Sequence, residues 1–348
     1  MNHPSYRAGI IGLGFIGAGD QVSGDRLGQR VEDLDGTHRE ALSKHPRVQL
    51  VAGSSRDAGR RERFAQTTNA QAYTEWRAML VHEKLDIVGV ASFAPSHAEL
   101  VVACAESGVR AIFCEKPIAT RMVDAERMIA ACRQAGSLLV INHNRRFHLH
   151  FRELQRRIAA GELGELTGVW LQWGTGRLGN VGSHFIDAAM MLTGRDVCAV
   201  SATLDQTGRP DCRGSEFCDP GGWVMLRFDG GLIGHVHAPD NPTGPAVIAV
   251  QGTLGRACVS GGVAEIETWI GGRHVLATPS AAAGSSMDQA VREIVGWLDN
   301  GTPVCCAADE SLRTLEVIVA CHASHARQAA WIELPLINAD RDREVQSG

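Results

Sequence analysis

The sequence is as informative in what it lacks as in what it holds. No Cys-X-X-Cys spacing occurs, and the adjacent pair Cys305-Cys306 does not have the spacing of zinc ligands, so no structural metal is expected. Cys104, Cys114, Cys132, Cys198 and Cys321 lie in apolar, helix-like or strand-like contexts, as buried free thiols of a reducing compartment do. Every apolar run is broken by charge or glycine well before the roughly 18 residues of a membrane-spanning helix. A basic excess is also missing: 34 Lys and Arg face 39 Asp and Glu, for a net charge of -5. That balance argues against a nucleic-acid or anionic-membrane partner. The first residues, Met1 to Gly14, lack the small-residue cleavage site of a signal peptide and run into a glycine motif, which makes a cytoplasmic location the expectation.

The chain has 348 residues, 44% hydrophobic and 21% charged, enough for two cores. In the first half, short apolar runs alternate with helical patterns. Strands are expected at Arg7 to Leu13, Arg47 to Gly53, Asp86 to Ala91, Ala111 to Cys114 and Leu138 to Asn142. Helices are expected at Ala58 to Ala65, Thr74 to Glu83, Ala98 to Ser107 and Val123 to Gln134. This alternation points to an α/β fold, a doubly wound parallel sheet over residues 1–142. Residues 143–348 read as a second, α+β domain. Strand-like segments there are Leu166 to Trp173, Val197 to Leu204, Trp223 to Phe228, Leu232 to His237, Ala246 to Gly252 and Ala264 to Trp269, with a hairpin at Asp229-Gly230-Gly231.

The first strand runs directly into Gly12-Leu13-Gly14-Phe15-Ile16-Gly17, a GxGxxG. After a strand and before a helix, that pattern is a dinucleotide cradle: Gly12 makes the tight turn, Gly14 admits the pyrophosphate, and Gly17 lets helix pack on strand. About 30 residues then separate Gly17 from the second strand, more than one helix needs. The polar stretch Ala18 to Thr37 is either a solvated loop or a flap whose Asp20, Glu32, Asp33 and Asp35 could accept hydrogen bonds from substrate hydroxyls. At the end of the second strand, where an acid would bind the ribose of NAD, stand Ser55 and Arg56, with Arg60 and Arg61 a turn later. A hydroxyl beside a guanidinium suits the 2′-phosphate of NADP, which is the favoured cofactor; NAD stays open through Asp57.

A strand ending in Cys114-Glu115-Lys116-Pro117, about 100 residues after an N-terminal GxGxxG, resembles the glucose–fructose oxidoreductase/inositol dehydrogenase/MocA (Gfo/Idh/MocA) family. Val90 to His97, Asn144-Arg145-Arg146-Phe147, Ala160-Gly161-Glu162-Leu163-Gly164 and Gly182-Ser183-His184-Phe185-Ile186-Asp187 are similar to further motifs of that family, in the same order. The resemblance extends from about Arg7 to about Leu334. It implies an N-terminal Rossmann domain, a C-terminal domain with a large, mostly antiparallel open sheet, and a homodimer or homotetramer.

The resemblance further implies an NAD(P)-dependent dehydrogenase of a sugar, cyclitol or related polyol or keto compound. Lys116 and His184 then match the catalytic positions. Lys116 would favour anionic character on the reacting oxygen, and His184 would exchange its proton. Asn180, Asp187 and Arg145 are expected at the substrate. Ser92, Ala94, His97, Glu115 and Asn144 join Phe15, Ile16 and the glycines at the cofactor. His97 has the alternative of capping the next helix. His143, His148, His150, His235 and His237 are expected to be structural. One departure stands out: Asn180 occupies a place where many polyol dehydrogenases of the family carry aspartate, and an amide cannot take a proton. A redox-neutral, NAD-using glycoside-cleaving enzyme and a non-catalytic dinucleotide-binding regulator are the competing readings.

Overall fold

The computed structural model describes residues 5–22, 35–207, 214, 217–241, 244–277 and 281–347. Strand β1, Tyr6–Ile11, is buried almost throughout and ends in the one-turn helix α1, Phe15–Ala18. Helix α2, His38–Lys44, follows, then β2, Val48–Ser54, and α3, Ala58–Thr68. Next come β3, Gln71–Tyr73, α4, Trp76–His82, β4, Ile87–Val90, and α5, His97–Glu106. The series closes with β5, Ala111–Cys114, α6, Met122–Ala135, and β6, Leu138–Ile141. The six strands form one sheet in the order β3-β2-β1-β4-β5-β6, every neighbouring pair parallel. This is the doubly wound order whose topological switch lies between β1 and β4, at the carboxyl ends where ligands bind. Strands β4 and β5 are buried at every position, as expected for a parallel sheet covered on both faces.

The chain continues through α7, Asn144–Phe147, and α8, Leu149–Ala159, to β7, Leu166–Gln172. Helix α9, Ser183–Thr193, leads to β8, Val197–Leu204, β9, Gly222–Phe228, and β10, Ile233–Ala238. A meander follows: β11, Val247–Gly252, β12, Gly255–Ser260, β13, Val263–Thr268, and β14, Gly272–Val275. Helices α10, Ser286–Asn300, and α11, Ala308–Ala326, precede the short β15, Ile332–Glu333. The second sheet has nine strands in the order β14-β13-β12-β11-β7-β10-β9-β8-β15, antiparallel except for the β7–β10 pair. Its strands alternate: Val169 and Leu171 of β7 are buried, whereas Trp170 between them is exposed.

Two compact units result. The first comprises residues 1–119, 123–144 and 284–309, so the chain returns to it for α10; the second comprises 120–122, 145–283 and 310–348. A capping box starts α10, with Ser285 and Asp288 exchanging side-chain and backbone hydrogen bonds. No helix among the described residues is long and apolar enough to cross a membrane.

Candidate active site

In the first unit the glycine turn has the shape its sequence demands. Gly12 sits at φ +97°, and a Cβ there would lie 2.5 Å from the carbonyl oxygen of Ala91. A Cβ on Gly17 would lie 1.9 Å from the Gly12 oxygen, so only glycine lets α1 approach β1 this closely. Gly14 is different: a Cβ there would meet nothing nearer than the Arg60 guanidinium, 3.5 Å away. The backbone at Gly14 is thus open on the side where a diphosphate would approach, while Gly12 and Gly17 close the turn behind it. These positions fit a dinucleotide. Phe15 and Ile16 are half-buried on α1, which ends after one turn at Gly19.

At the end of β2, Ser55 is half-buried and Arg56 exposed. Arg61 braces this corner by donating to the carbonyls of Ser55 and Arg56 at 2.7 and 2.9 Å. Asp57 caps α3, its carboxylate accepting from the Arg60 amide at 2.8 Å. Asp20, just after α1, is buried and takes two hydrogen bonds from Arg63, at 2.7 and 3.1 Å, with Arg60 at 3.3 Å. Burial works to raise the Asp20 pKa, but the Arg63 hydrogen bonds, a bond from the Val22 amide and the two positive charges outweigh it and hold it below the usual carboxylate value. Of the flap candidates, Asp20 is therefore engaged with α3. Asp35 accepts from the Ser286 amide at 3.3 Å. Glu32 and Asp33 lie outside the described residues.

The loop after β4 and the Glu-Lys-Pro turn are tied together by His97. Its Nδ1 lies 3.0 Å from the Pro117 oxygen and its Nε2 3.2 Å from the Ser92 oxygen, and the ring is fully buried. Burial pushes the His97 pKa below its usual value against these two contacts. A neutral ring donates from one nitrogen only, so it serves one carbonyl at a time. His97 does not cap α5; it joins two loops. Ala94 is buried, and the Ser96 hydroxyl donates to Ser92 Oγ at 2.8 Å.

Glu115 is buried, and its Oε1 accepts from His38 at 3.0 Å and from the Asn142 amide at 2.7 Å. Burial alone would raise its pKa; the His38 bond and charge, the Asn142 bond and the positive charge of Lys116 together bring it below the usual value. The carboxylate is thus ionised and held from two sides. Lys116 follows it, half-buried, and is joined to Pro117 by a cis peptide bond. Asn144 opens α7; its Oδ1 is buried without a hydrogen-bond partner among the described residues, an acceptor left for a ligand N–H.

In the second unit His184 stands in the first turn of α9, half-buried. A single π-helical turn, Leu178–Gly182, delivers the chain to it. Such turns need outside partners for their amides. Asp219 provides them, its two carboxylate oxygens accepting from Gly179 at 2.7 Å and Asn180 at 2.8 Å. The Ser183 hydroxyl donates to the Asn180 oxygen at 2.8 Å, and Trp173 lies under Gly182, where a Cβ would come within 3.0 Å of its ring. Asn180 itself is 5% exposed. Asp187 is fully buried and takes both of its oxygens, at 2.9 Å, to Arg146 Nε, so its carboxylate is a structural counter-ion. Arg146 also reaches Glu310 at 3.0 Å. Arg145 turns the other way and stacks on Phe185.

Of the remaining histidines, His150 bonds the Ala277 oxygen at 3.0 Å and His148 caps α8. His235 and His237 lie on the open sheet face beside Trp170. His38 and Asp219 were not singled out by sequence reasoning. Nothing local marks either one, because each acts on a partner tens of residues away. Among the described residues no group of His, Cys, Asp or Glu could hold a metal ion.

Comparison with known proteins agrees with this fold. Residues 6–143 match the model of the oxidoreductase family with an NAD-binding Rossmann fold, and residues 169–258 match the Gfo/Idh/MocA C-terminal domain. D-apiose dehydrogenase of Paraburkholderia graminis is 32% identical over 160 residues, covering 46% of this chain and 38% of that protein. Myo-inositol 2-dehydrogenase of Thermotoga maritima is 31% identical over 160 residues, covering 46% and 42%. The chain thus spans about two fifths of the length of these relatives. Levoglucosan dehydrogenase of Pseudarthrobacter phenanthrenivorans is 28% identical over 281 residues, 69% of each chain. Among solved structures, the aldose-aldose oxidoreductase of Caulobacter crescentus superposes with a TM-score of 0.78 at 20% identity, over 95% of this chain and all of that one, a likeness of fold. With both of its domain models matched and both of its sheets present, the chain belongs to the Gfo/Idh/MocA oxidoreductase family.

Proposed function

We propose that this protein is an NAD(P)-dependent dehydrogenase or reductase acting on a CH–OH group of a sugar, cyclitol or related polyol, with Lys116 and His184 as its catalytic residues. The observation that carries the reading is the anchored Glu-Lys-Pro turn. Glu115 is spent on His38 and Asn142, which fixes the backbone from which Lys116 extends beside the carboxyl ends of the Rossmann strands. Gly12, Gly14 and Gly17 would hold the diphosphate, and Asn144 offers an unused acceptor.

Oxidation of an alcohol breaks a C–H and an O–H bond. The bound nicotinamide supplies the hydride acceptor. The chain's own residues handle the proton: Lys116 stabilises negative charge on the oxygen, and the His184 imidazole takes the hydroxyl proton, returning it in reduction. The Asn180 amide cannot share that proton, and its backbone N–H and C=O help to hold the turn before His184.

The cofactor is NADP in this reading. Asp57 is committed to capping α3, no acid stands at the end of β2, and exposed Arg56 beside Ser55 suits a phosphate. The open face of the second sheet, with Trp170 and Trp223 each over 40% exposed, supports a homo-oligomer.

The test is absorbance at the reduced-nicotinamide band with NADP or NAD and a panel of sugars, polyols and sugar acids. A substrate-dependent rise, lost in Lys116→Ala with cofactor binding kept, is expected. Tight cofactor binding with no rise for any substrate would move the protein to a redox-neutral or regulatory role.

A further inference from the structure

Arg145 and Arg146 are adjacent in sequence but differ in their surroundings. Arg146 is saturated: Nε meets both oxygens of Asp187, and Nη1 meets Glu310. The Arg145 guanidinium has no hydrogen bond and no ion pair among the described residues. Its guanidinium lies 4.7 Å from the centre of the Phe185 ring and 5.9 Å from that of Phe151, both buried. Among the described residues the carboxylate whose charge acts on it is Asp187, already bound to Arg146. Burial pulls the Arg145 pKa down to about 10, only partly offset by Asp187, so the group is still cationic at neutral pH.

A guanidinium in this setting is costly. It has given up water on its faces for two aromatic rings and has gained no acceptor at its edge. The residue as a whole is half-buried, so its side chain is not closed off completely from solvent. Stacking also holds the plane still, and a fixed planar fork matches a carboxylate through two parallel N–H···O bonds. Phe185, the ring beneath it, immediately follows His184.

From this unmatched, stacked and half-buried guanidinium beside the His184 turn, we infer that the preferred substrate carries a carboxylate, which Arg145 binds end-on: a sugar acid rather than a neutral sugar or polyol. The inference rests on the dehydrogenase reading for the location of the substrate, and it names the class of substrate within that reading. A carboxylate held at Arg145 would also orient the chain of hydroxyls along the site, so that binding energy remote from the reacting carbon fixes which hydroxyl is oxidised.

The experiment measures binding and turnover side by side on the purified full chain with NADP or NAD. D-Glucuronate and D-gluconate are compared with D-glucose and D-glucitol, and D-glucose 6-phosphate is included as the competing anion. Binding is read by calorimetry and thermal shift, turnover by absorbance. The acids are expected to bind at least tenfold more tightly than their neutral counterparts. Arg145→Gln should erase that preference, and Arg145→Lys should restore only part of it. An unchanged cofactor-induced thermal shift verifies that each variant is folded. Equal or better binding of the neutral compounds, or a preference for the acids that survives in Arg145→Gln, overturns the inference, as does tighter binding of the sugar phosphate than of the acids. Absence of turnover with every compound would instead sink the dehydrogenase reading, and the binding arm would still decide the role of Arg145.

Discussion

His38 donates a hydrogen bond from Nε2 to Glu115 across 3.0 Å, joining the helix that follows the inserted segment to the turn that carries Lys116. The His38 ring is fully buried, tilts against Phe113 at 4.6 Å between ring centres, and presents its Nδ1 to Gly89, where a Cβ would come within 2.7 Å. Gly89 is therefore the space that admits the ring, and Nδ1 has no hydrogen-bond partner among the described residues.

Removing this partner has a defined cost. In His38→Ala the Glu115 carboxylate keeps Asn142 but loses its cationic or dipolar neighbour, and a cavity opens over Phe113. A hydrogen bond to a buried charge and a cavity of this size together predict a loss of about 2–4 kcal/mol. The pH dependence follows from the depressed pKa of Glu115. A carboxyl whose folded pKa lies below its unfolded value contributes stability that is fully present above the unfolded value and is lost as pH falls through the folded one. Acid unfolding of His38→Ala should therefore begin at higher pH than that of the parent. Chemical denaturation at neutral pH and across the range below 5 measures both effects; identical acid transitions would separate His38 from Glu115.

Gly17→Ala tests the glycine turn. The added methyl would sit 1.9 Å from the Gly12 oxygen, a contact that backbone movement alone can relieve. The variant should lose cofactor affinity by at least tenfold and several degrees of Tm. Gly14→Ala meets only the end of a flexible arginine side chain and should fold with little change in Tm, while its methyl crowds an approaching diphosphate. Titration of reduced nicotinamide fluorescence and thermal melts distinguish the two.

Ser55→Asp tests the cofactor preference. A carboxylate placed at the end of β2 repels a 2′-phosphate and accepts from a 2′-hydroxyl. A change of about 1.4–3 kcal/mol in each direction would raise the Kd for NADP roughly tenfold or more and lower that for NAD. Unchanged Kd values for both cofactors would place the discriminating contact elsewhere, with Arg56 the first residue to replace.

The same positions show how far the sequence alone could be read. The five long strands of the first sheet and the glycine turn were visible because buried parallel strands are short apolar runs and the turn admits only certain residues. Strand β3, with one exposed and two half-buried residues, carries no such run. Strands β12 and β14 escaped for a similar reason: β14 is exposed at every position, and Gly-Arg-Ala-Cys-Val-Ser alternates too weakly in hydropathy to stand out. Asp187 is next to the His184 turn in sequence, yet its carboxylate belongs to Arg146, a pairing set by how α7 meets α9. The return of α10 to the first unit likewise depends on packing that no local pattern encodes.

Asp219 is the residue whose loss should separate positioning from chemistry. Its two oxygens hold the amides of Gly179 and Asn180, and that π-helical turn ends one residue before Ser183 and two before His184. Gly179 is further confined by Val345 and Ser347, both buried, whose side chains would meet an added Cβ at 2.7 and 2.9 Å. In Asp219→Asn the amide still has one acceptor oxygen but must turn its NH2 toward the second backbone N–H, so one of the two bonds becomes a donor–donor clash. The turn should loosen, His184 should lose its fixed direction, and kcat should fall by about tenfold to a hundredfold for a displacement of the order of an ångström. The Kd for the cofactor should not move, because neither amide held by Asp219 belongs to the glycine turn. Asp219→Glu, which keeps both acceptors on a longer arm, should recover part of kcat; a variant series in which KM and cofactor Kd change and kcat does not would assign Asp219 to binding instead.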